Sequence, residues 1–143
     1  MKELDNFLKQ QNHELSKAKL KDYNSLVFAF LGDSIHTLFI RSMLVMNSTS
    51  KVGSLHKKTS EFVKASAQAK ALDAIMNDLT EEELRIVKTA RNSHSKTVAK
   101  NASLEDYKKA TSFEALIGYL YLLNETQRMN KLLQKSLSYM ENL

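Results

Sequence analysis

Two acidic residues, each set beside a glycine in an apolar run, are the residues of this sequence best placed to do chemistry. Asp33 follows Gly32 in the run VFAFLGDSI (residues 27–35), and Glu114 lies four residues before Gly118 in FEALIGYL (residues 113–120). A glycine inside a helix costs roughly 1 kcal/mol relative to alanine. A buried carboxylate is also costly unless its charge is compensated. Both runs therefore carry residues that helix formation alone would disfavour.

The glycines predict how the two acids could meet. Gly118 lies one helical turn beyond Glu114 on the same face, so a close approach of two helices at Gly32 and Gly118 would bring both carboxylates to one point. Neighbouring carboxylates repel each other unless a cation lies between them. A hard divalent ion, Mg²⁺ above all, binds one or two carboxylates together with water and substrate phosphate. In the alternative, each acid pairs with a nearby cation or backbone donor and has a structural role.

Helical periodicity runs through most of the chain and predicts an all-α fold to position these acids. The sequence has no proline and only three glycines, so little interrupts a helix. A Thr80–Glu83 capping box and a Ser103 cap mark two helix starts, and Asn124 marks an end. The predicted helices span residues 24–46, 54–77, 80–90 and 103–123, followed by an amphipathic helix that carries Met129, Leu132, Leu133, Leu137 and Met140. Residues 92–102 lack a helical period and are predicted to form a loop.

The size and composition indicate one domain and exclude several classes of protein. With 143 residues, the chain can bury the core of a single domain, which we assign to residues 22–143. The lysine-rich residues 1–21 are predicted to be a partly ordered N-terminal extension. No cysteine is present, so disulfides and thiolate metal sites are excluded. No segment reaches roughly 18 uncharged apolar residues and no secretory signal is recognisable, so a cytoplasmic protein without membrane contact is predicted.

Beyond these patterns, two segments resemble the acidic motifs of the ribonuclease III family. FLGDSI (residues 30–35) resembles the family signature, and TSFEALIGYL (residues 111–120) resembles its second acidic motif. The spacing, the small size and the lack of a double-stranded-RNA-binding domain are similar to the Mini-ribonuclease III branch, as are LHKKTS (residues 55–60), AQA (residues 67–69) and ARN (residues 90–92). The resemblance extends from about residue 24 to residue 123.

The resemblance implies an all-helical, homodimeric domain that cleaves double-stranded RNA with Mg²⁺. Asp33 and Glu114 would be the metal ligands, and Phe30 would lie in the dimer interface unless it is an ordinary core phenylalanine. The products would have 5′-phosphates, 3′-hydroxyls and short 3′ overhangs. The cellular task that the branch implies is maturation of the 23S ribosomal RNA precursor, with a ribosomal protein bound to the substrate as a further partner.

An enzyme without an accessory RNA-binding domain must grip its substrate with basic and polar groups of the catalytic domain. Two stretches qualify, although any single lysine could be a solvated surface charge. The first, on the predicted helix 54–77, comprises His56, Lys57, Lys58, Lys64 and Gln68. The second runs from a helix into the loop and comprises Lys88, Arg91, Asn92, His94, Lys96 and Lys100. His36, one turn from Asp33, could contact metal-bound water, with a packing role as the alternative.

Two departures separate the chain from full-length ribonuclease III enzymes. Those enzymes carry acids where this sequence has Ala29 and Thr111, and the Mini branch lacks them as well. The site is therefore expected to bind its ion with fewer charged ligands. The same departures support an alternative, a non-catalytic helical module that binds double-stranded RNA or the ribosome. A helical interaction domain without a nucleic-acid role is the third interpretation.

Overall fold

The computed structural model describes residues 16–47, 51–93 and 103–140, and all regular structure in these ranges is helical. The α-helices described are α1 (Lys17–Leu20), α2 (Ser25–Asn47), α3 (Val52–Val63), α4 (Ala65–Ile75), α5 (Glu81–Arg91), α6 (Leu104–Leu122) and α7 (Thr126–Ser136). Single 3₁₀ turns follow α4 at Met76–Asp78 and α7 at Ser138–Met140. The predicted all-α fold is confirmed for these ranges.

Helix α6 is the centre of the molecule. It packs against α2, α4, α5 and α7, and its contact with α2 is the most extensive between any two helices described. Its second half is apolar on every side, which is typical of a helix surrounded by protein. Its buried residues run from Phe113 through Tyr121 with the single exception of Glu114. The helix that carries one candidate acid is therefore the core of the fold.

Helix α2 carries the other acid and packs only one face against the core. Phe28, Gly32, His36 and Ile40 are buried on that face. By length and hydropathy α2 could also cross a membrane, a test that core helices of soluble domains pass too. Because the buried face packs against α6, we interpret α2 as a core helix.

The predicted helix ends agree with the structure. The Thr80 hydroxyl accepts a hydrogen bond from the Glu83 amide while the Glu83 carboxylate accepts one from the Thr80 amide, which is the predicted capping box. Ser103 caps α6 by accepting from the Asp106 amide. Asn124, two residues after α6, adopts a left-handed backbone with φ of 61°. This conformation is tolerated best by asparagine among residues other than glycine and ends the helix.

The prediction of a single, uninterrupted helix over residues 54–77 is wrong. The chain forms two helices, α3 and α4, separated at Lys64, whose φ of −64° and ψ of 157° are extended. No proline or glycine marks this break in the sequence. The interruption turns the face of α4 relative to α3, so residues on one predicted stripe point in different directions.

The described part of the N-terminal segment reaches the core. Leu20, at the end of α1, is 1% exposed and belongs to the main hydrophobic cluster. The boundary between an extension of residues 1–21 and a domain of residues 22–143 stays a prediction. Residues 1–15 lie outside the described ranges.

The most buried carboxylate of the described residues links α5 to α7. Glu83 is 5% exposed, and its Oε1 accepts from Arg128 Nη2 at 2.8 Å and from the Thr80 amide at 2.9 Å. Burial opposes ionisation of Glu83, but the hydrogen bonds from Arg128 and Thr80 outweigh it and hold the pKa below its ordinary value.

Replacement of Glu83 by glutamine is expected to reduce stability in a pH-dependent way. At pH 7 the loss should be roughly 1.5–3 kcal/mol, because a charged hydrogen bond to Arg128 becomes neutral. Since folding lowers the pKa of Glu83, its contribution is complete above the unfolded value of about 4.3 and disappears as the pH falls through the folded value. Urea unfolding of wild type and Glu83→Gln from pH 7 to pH 3 measures the difference.

The exposed Glu81, two residues earlier in the same turn, supplies the matched control. Glu81→Gln should change stability by less than about 0.5 kcal/mol, as usual for surface substitutions. A gap between Glu83→Gln and wild type that stayed constant down to pH 3 would contradict the assignment of a charged Glu83.

Candidate functional site

The predicted close approach of two helices at glycine is present between α2 and α6. A Cβ built on Gly32 would lie 1.8 Å from the carbonyl oxygen of Glu114 and 2.6 Å from its carbonyl carbon. One turn along, a Cβ on Gly118 would lie 2.0 Å from the carbonyl oxygen of Phe28. Only glycine fits at either position without moving backbone. The two helices therefore touch through their main chains beside Asp33 and Glu114.

This contact brings the two carboxyl groups close enough for Asp33 to affect the pKa of Glu114. The side chain of Asp33 is exposed, whereas that of Glu114 is half-buried. Burial, the hydrogen bond that a protonated Glu114 donates to Asp33, and repulsion by the Asp33 charge together raise the pKa of Glu114 to about 9. Two acids so close, one of them poorly solvated, hold a proton between them unless a cation takes its place.

The donor set fits a hard divalent cation that keeps most of its water. Two carboxylates are the protein ligands that Mg²⁺ commonly accepts, with water and phosphate oxygens in its other positions. Within the described ranges, no group of three or more His, Cys, Asp or Glu side chains is arranged to hold a metal. At the positions of the missing acids, Ala29 offers no ligand and the Thr111 hydroxyl donates to the Tyr107 carbonyl at 3.0 Å. An ion bound here would depend on Asp33 and Glu114.

Gln68 and His36 adjoin the acids in the interior. Gln68 is 3% exposed and His36 2% exposed, and Gln68 Nε2 lies 3.0 Å from His36 Nδ1. Gln68 is also near enough to Glu114 to lower its pKa slightly, against the larger effects that raise it. Burial lowers the pKa of His36 to about 4, against the opposing influence of Asp33. His36 is therefore neutral at pH 7.

The burial of Gln68 corrects its predicted place on an RNA-binding surface. The break at Lys64 starts α4 at Ala65 and directs Gln68 inward, away from Lys57 and Glu61. A signal was present in the sequence, because Gln68 stands in an alanine-rich segment with Ala67, Ala69 and Ala71. Small side chains in succession indicate a helix packed closely on its neighbours, and all three of these alanines are buried.

Comparison with known proteins identifies the family. A family model described as the Ribonuclease III domain matches residues 26–125. The chain belongs to the ribonuclease III family. A Mini-ribonuclease 3 from Clostridium tetani is 47% identical over 122 residues, which cover 85% of this chain and 81% of that protein. A Mini-ribonuclease 3 from Thermoanaerobacter is 41% identical over 127 residues, which cover 89% of this chain and 89% of that protein.

Solved structures agree with the assignment. A crystal structure of a protein from Fusobacterium nucleatum superposes with a TM-score of 0.76 at 34% identity and covers 85% of this chain and 97% of that one. The predicted membership of the ribonuclease III family, in its Mini-ribonuclease III branch, is thus confirmed. The protein is an endoribonuclease.

The basic residues predicted for this ribonuclease III domain fall into three groups. His56, Lys57 and Lys58 are exposed on α3, and Lys64 is exposed at the α3–α4 junction, where it pairs with Glu61 at 2.9 Å. Lys88 and Asn92 are exposed at the end of α5. Arg91 pairs with Glu105 at 2.7 Å, which ties the end of α5 to the start of α6. His94, Lys96 and Lys100 lie outside the described residues.

Phe30 is 81% exposed, which excludes the alternative of an ordinary core phenylalanine within this chain. It belongs to an apolar stripe on the outer face of α2, at the helical spacing of residues that share one side. The stripe consists of Val27, Phe30, Leu38 and Val45, all exposed. Asp33 lies on the border between this stripe and the face packed on α6, by helical periodicity.

Proposed function

We propose that this endoribonuclease cleaves double-stranded RNA with Mg²⁺ and leaves 5′-phosphate and 3′-hydroxyl ends with short 3′ overhangs. The observation that carries the proposal is the main-chain contact at Gly32 and Gly118, which places the Asp33 and Glu114 carboxyl groups together. Membership of the ribonuclease III family supports it.

Asp33 and Glu114 are the residues that would hold the ion. Bound there, Mg²⁺ would activate water and neutralise charge that develops on the scissile phosphate. The chain itself contributes the position of both carboxylates, fixed by two packed helices rather than by loops. Glu114 contributes most when it is ionised, and its burial makes it depend on neighbours that favour the charge.

The exposed basic groups on α3 and at its junction with α4 would contact the RNA. Lys57, Lys58 and Lys64 can bind backbone phosphates, and His56 can donate to a phosphate or a 2′-hydroxyl. Lys88 and Asn92 at the end of α5, together with the predicted loop residues His94, Lys96 and Lys100, would extend this grip. The net charge of +5 favours such contacts, whose strength should fall as salt increases.

A homodimer would cover the apolar stripe on α2. Exposed apolar residues that line one face of a helix commonly mark a protein interface. A helix that meets its own copy buries the same face in both partners, as an isologous contact requires. Each subunit would then bring one acid pair to the duplex, so that the two sites cut opposite strands.

Replacement of Phe30 by glutamate is expected to convert the dimer into monomers. The substitution would bury a carboxylate in an apolar contact, which costs several kcal/mol unless it is paired. Light scattering after size exclusion would give the mass. Leu104→Glu is the matched control, since Leu104 is exposed on α6 outside the stripe and should leave the mass unchanged. A Phe30→Glu dimer would contradict this interface.

The natural substrate that we propose is the precursor of 23S ribosomal RNA, processed in the cytoplasm, with a ribosomal protein on the substrate as a partner. The resemblance to the Mini branch supports this choice. Processing of precursor transcripts by the purified protein, with and without bound ribosomal proteins, would test it.

The decisive assay is incubation of the purified protein with long duplex RNA in Mg²⁺ and in EDTA. Metal-dependent products with 5′-phosphates are expected, and single-stranded RNA should remain intact. The absence of acids at Ala29 and Thr111 favours a second candidate, a non-catalytic module that binds duplex RNA. Retarded but uncut RNA in both conditions would support that candidate. RNA that is neither bound nor cut would contradict both.

A further inference from the structure

A small cleft lies between α1 and α5, apart from the two acids of the candidate site. The buried rings of Phe28 on α2 and Tyr119 on α6 form part of its floor. Each of these residues is five positions along its helix from one of the acids, which is roughly 7.5 Å along the axis and on another face. The cleft is therefore separate from the place where a cation would bind.

The cleft has room for a small chemical group rather than for a whole organic ligand. Its volume is about 90 Å³. A single bound water needs roughly 10–15 Å³ of such space, whereas pockets for drug-sized ligands measure roughly 300–1,000 Å³. A few waters, or one anion of a few non-hydrogen atoms, would fill it.

Three cationic side chains line the cleft, and no carboxylate of the described residues does so. Lys17 is already engaged, because it pairs with Glu82 at 2.8 Å and is also attracted by Glu125. Lys21 and Arg85 are exposed and form no ion pair with a carboxylate in the described ranges. The excess of positive charge favours an anion as the ligand.

The hydrogen-bond donors that remain in the cleft also favour an anion. The Thr89 hydroxyl donates to the Arg85 carbonyl at 2.8 Å, and the Tyr119 hydroxyl donates to Glu82. The Arg85 guanidinium has five N–H donors, more than the neighbouring Tyr119 hydroxyl can accept. Lys21 has three donors of its own.

The chemistry of these two cations points to phosphate among the anions. A guanidinium donates two parallel hydrogen bonds to two oxygens of a phosphate, and an ammonium adds a compact charge from another direction. Arg85 belongs to α5 and Lys21 follows α1, so they reach the cleft from different helices. A tetrahedral phosphate presents oxygens to both sides, whereas a planar carboxylate presents its two oxygens to one side.

We propose that the cleft between α1 and α5 binds a phosphate group through Arg85 and Lys21. The site gives the lysine-rich end of the N-terminal segment a role in binding. It goes beyond the proposed nuclease activity and does not depend on it.

Two kinds of ligand carry such a phosphate group, the backbone of RNA and a small phosphorylated molecule. Arg85 and Thr89 also line a shallow depression along the outer face of α5, which continues to Lys88 and Asn92. These last two residues belong to the surface proposed to contact RNA. A polyanion anchored in the cleft would continue along this face, whereas a small molecule would end at the cleft.

The first test is a titration of the full-length protein with inorganic phosphate against chloride at constant ionic strength. Proton–nitrogen NMR should show saturable shifts at the Ser25 and Thr89 amides, which border the cleft. Arg85→Gln should weaken this binding roughly tenfold, the lower end for a hydrogen bond to a charged group, because Arg85 is exposed. Lys21→Gln should weaken it as well. Both variants should fold, since exposed substitutions change stability little.

Lys131→Gln is the matched control. It removes one exposed positive charge from α7, outside the cleft. This variant should bind phosphate as wild type does, so a general effect of net charge is distinguished from a loss at the cleft.

The second test is the affinity for duplex RNA at several salt concentrations, measured by mobility shift. If the RNA backbone supplies the phosphate, Arg85→Gln should bind more weakly. The slope of log affinity against log salt should also fall by about 1, for one lost phosphate contact. Loss of inorganic phosphate binding with unchanged RNA affinity would identify a small phosphorylated molecule as the source instead.

The proposal is overturned if Arg85→Gln and Lys21→Gln match Lys131→Gln in both titrations. A failure of the proposed function would look different. Wild-type protein that neither binds nor cuts duplex RNA would remove RNA as the source of the phosphate, and the titration with inorganic phosphate alone would then decide the proposal.

Discussion

Asp33→Asn is expected to abolish cleavage of double-stranded RNA without loss of fold or RNA binding. The substitution keeps the size of the side chain and removes one of the two charges proposed to hold the cation. A bound cation supplies several kcal/mol of charge stabilisation in the transition state. Its loss should therefore lower the rate at least about 10³-fold. Single-turnover cleavage of a labelled duplex measures the rate, and mobility shift in Ca²⁺ measures binding.

The stability of the same variant, measured with and without Mg²⁺, should show how much the pair of acids destabilises the fold when no cation is bound. In EDTA, Asp33→Asn should be at least as stable as wild type, since it removes a charge that raises the pKa of Glu114 and so forces this acid to take up a proton on folding. Added Mg²⁺ should raise the melting temperature of wild type by mass action and leave that of the variant unchanged. Active sites often trade stability for function in this way.

Asp22→Asn is the matched control for Asp33→Asn. Asp22 is also exposed, and it precedes α2 rather than lying at the contact with α6. This variant should cut RNA and respond to Mg²⁺ as wild type does. If Asp33→Asn cut at the wild-type rate, the assignment of Asp33 would fail while the fold remained as described.

The sequence predicted the acid site because its residues are locally unfavourable. Gly32 and Gly118 weaken their helices, and Asp33 and Glu114 interrupt apolar runs. The pattern left two interpretations open: a contact between distant segments, or pairing of each acid with a nearby cation or backbone donor. The structure shows that contact between the α2 and α6 backbones. Helix caps were equally predictable, since Thr80 with Glu83 and Ser103 with Asp106 act within a single turn.

Gln68 could not be placed by periodicity, because the direction of its side chain depends on a break that only packing reveals. Lys64 takes an extended backbone without any proline or glycine to mark it. A continuous helix from residue 54 would carry Lys57, Lys64 and Gln68 on one side. The break changes the direction of the side chains that follow Lys64, compared with a continuous helix. Gln68 therefore lies in the interior rather than on the expected surface. Local sequence sets a helical period but not the point where tertiary contacts interrupt it.

For Phe30, the difficulty was to predict which face of its helix is buried. Helix α2 is apolar on the face packed against α6 and on the outer stripe, so the pattern alone does not tell which face is buried. The glycines resolve this, because Gly32 must face the helix that it touches. Phe30 lies on the other side of α2 from Gly32 by helical periodicity. Its exposure thus follows from the position of Gly32 once the contact with Glu114 is known.

Gly32→Ala is expected to be the most destabilising single-methyl change in the described helices. The added Cβ would lie 1.8 Å from the Glu114 carbonyl oxygen, against ordinary contacts of 3.4 Å or more. Both neighbours are backbone in the core, so α2 and α6 would have to separate. Overpacking of a core usually costs about 1–3 kcal/mol, and a backbone clash of this size should exceed about 3 kcal/mol. Urea unfolding would measure the loss.

Gly53→Ala is the matched control, because a Cβ on Gly53, in the first turn of α3, meets nothing within 4 Å. Alanine forms helix better there, so stability should be unchanged or rise by up to about 1 kcal/mol. Equal stability of the Gly32→Ala and Gly53→Ala variants would contradict the close contact of α2 with α6.

Any folded fraction of Gly32→Ala should also cut RNA poorly. Separation of the helices would move Asp33 away from Glu114, and a misplacement of about 1 Å can cost roughly 10²-fold in rate. Gly118→Ala, whose Cβ would meet the Phe28 carbonyl oxygen at 2.0 Å, should behave alike, although Gly118 is no ligand. Activity and stability should therefore fall together at the two glycines, whereas Asp33→Asn should lose activity alone. That contrast distinguishes residues that bring the acids together from the acids themselves.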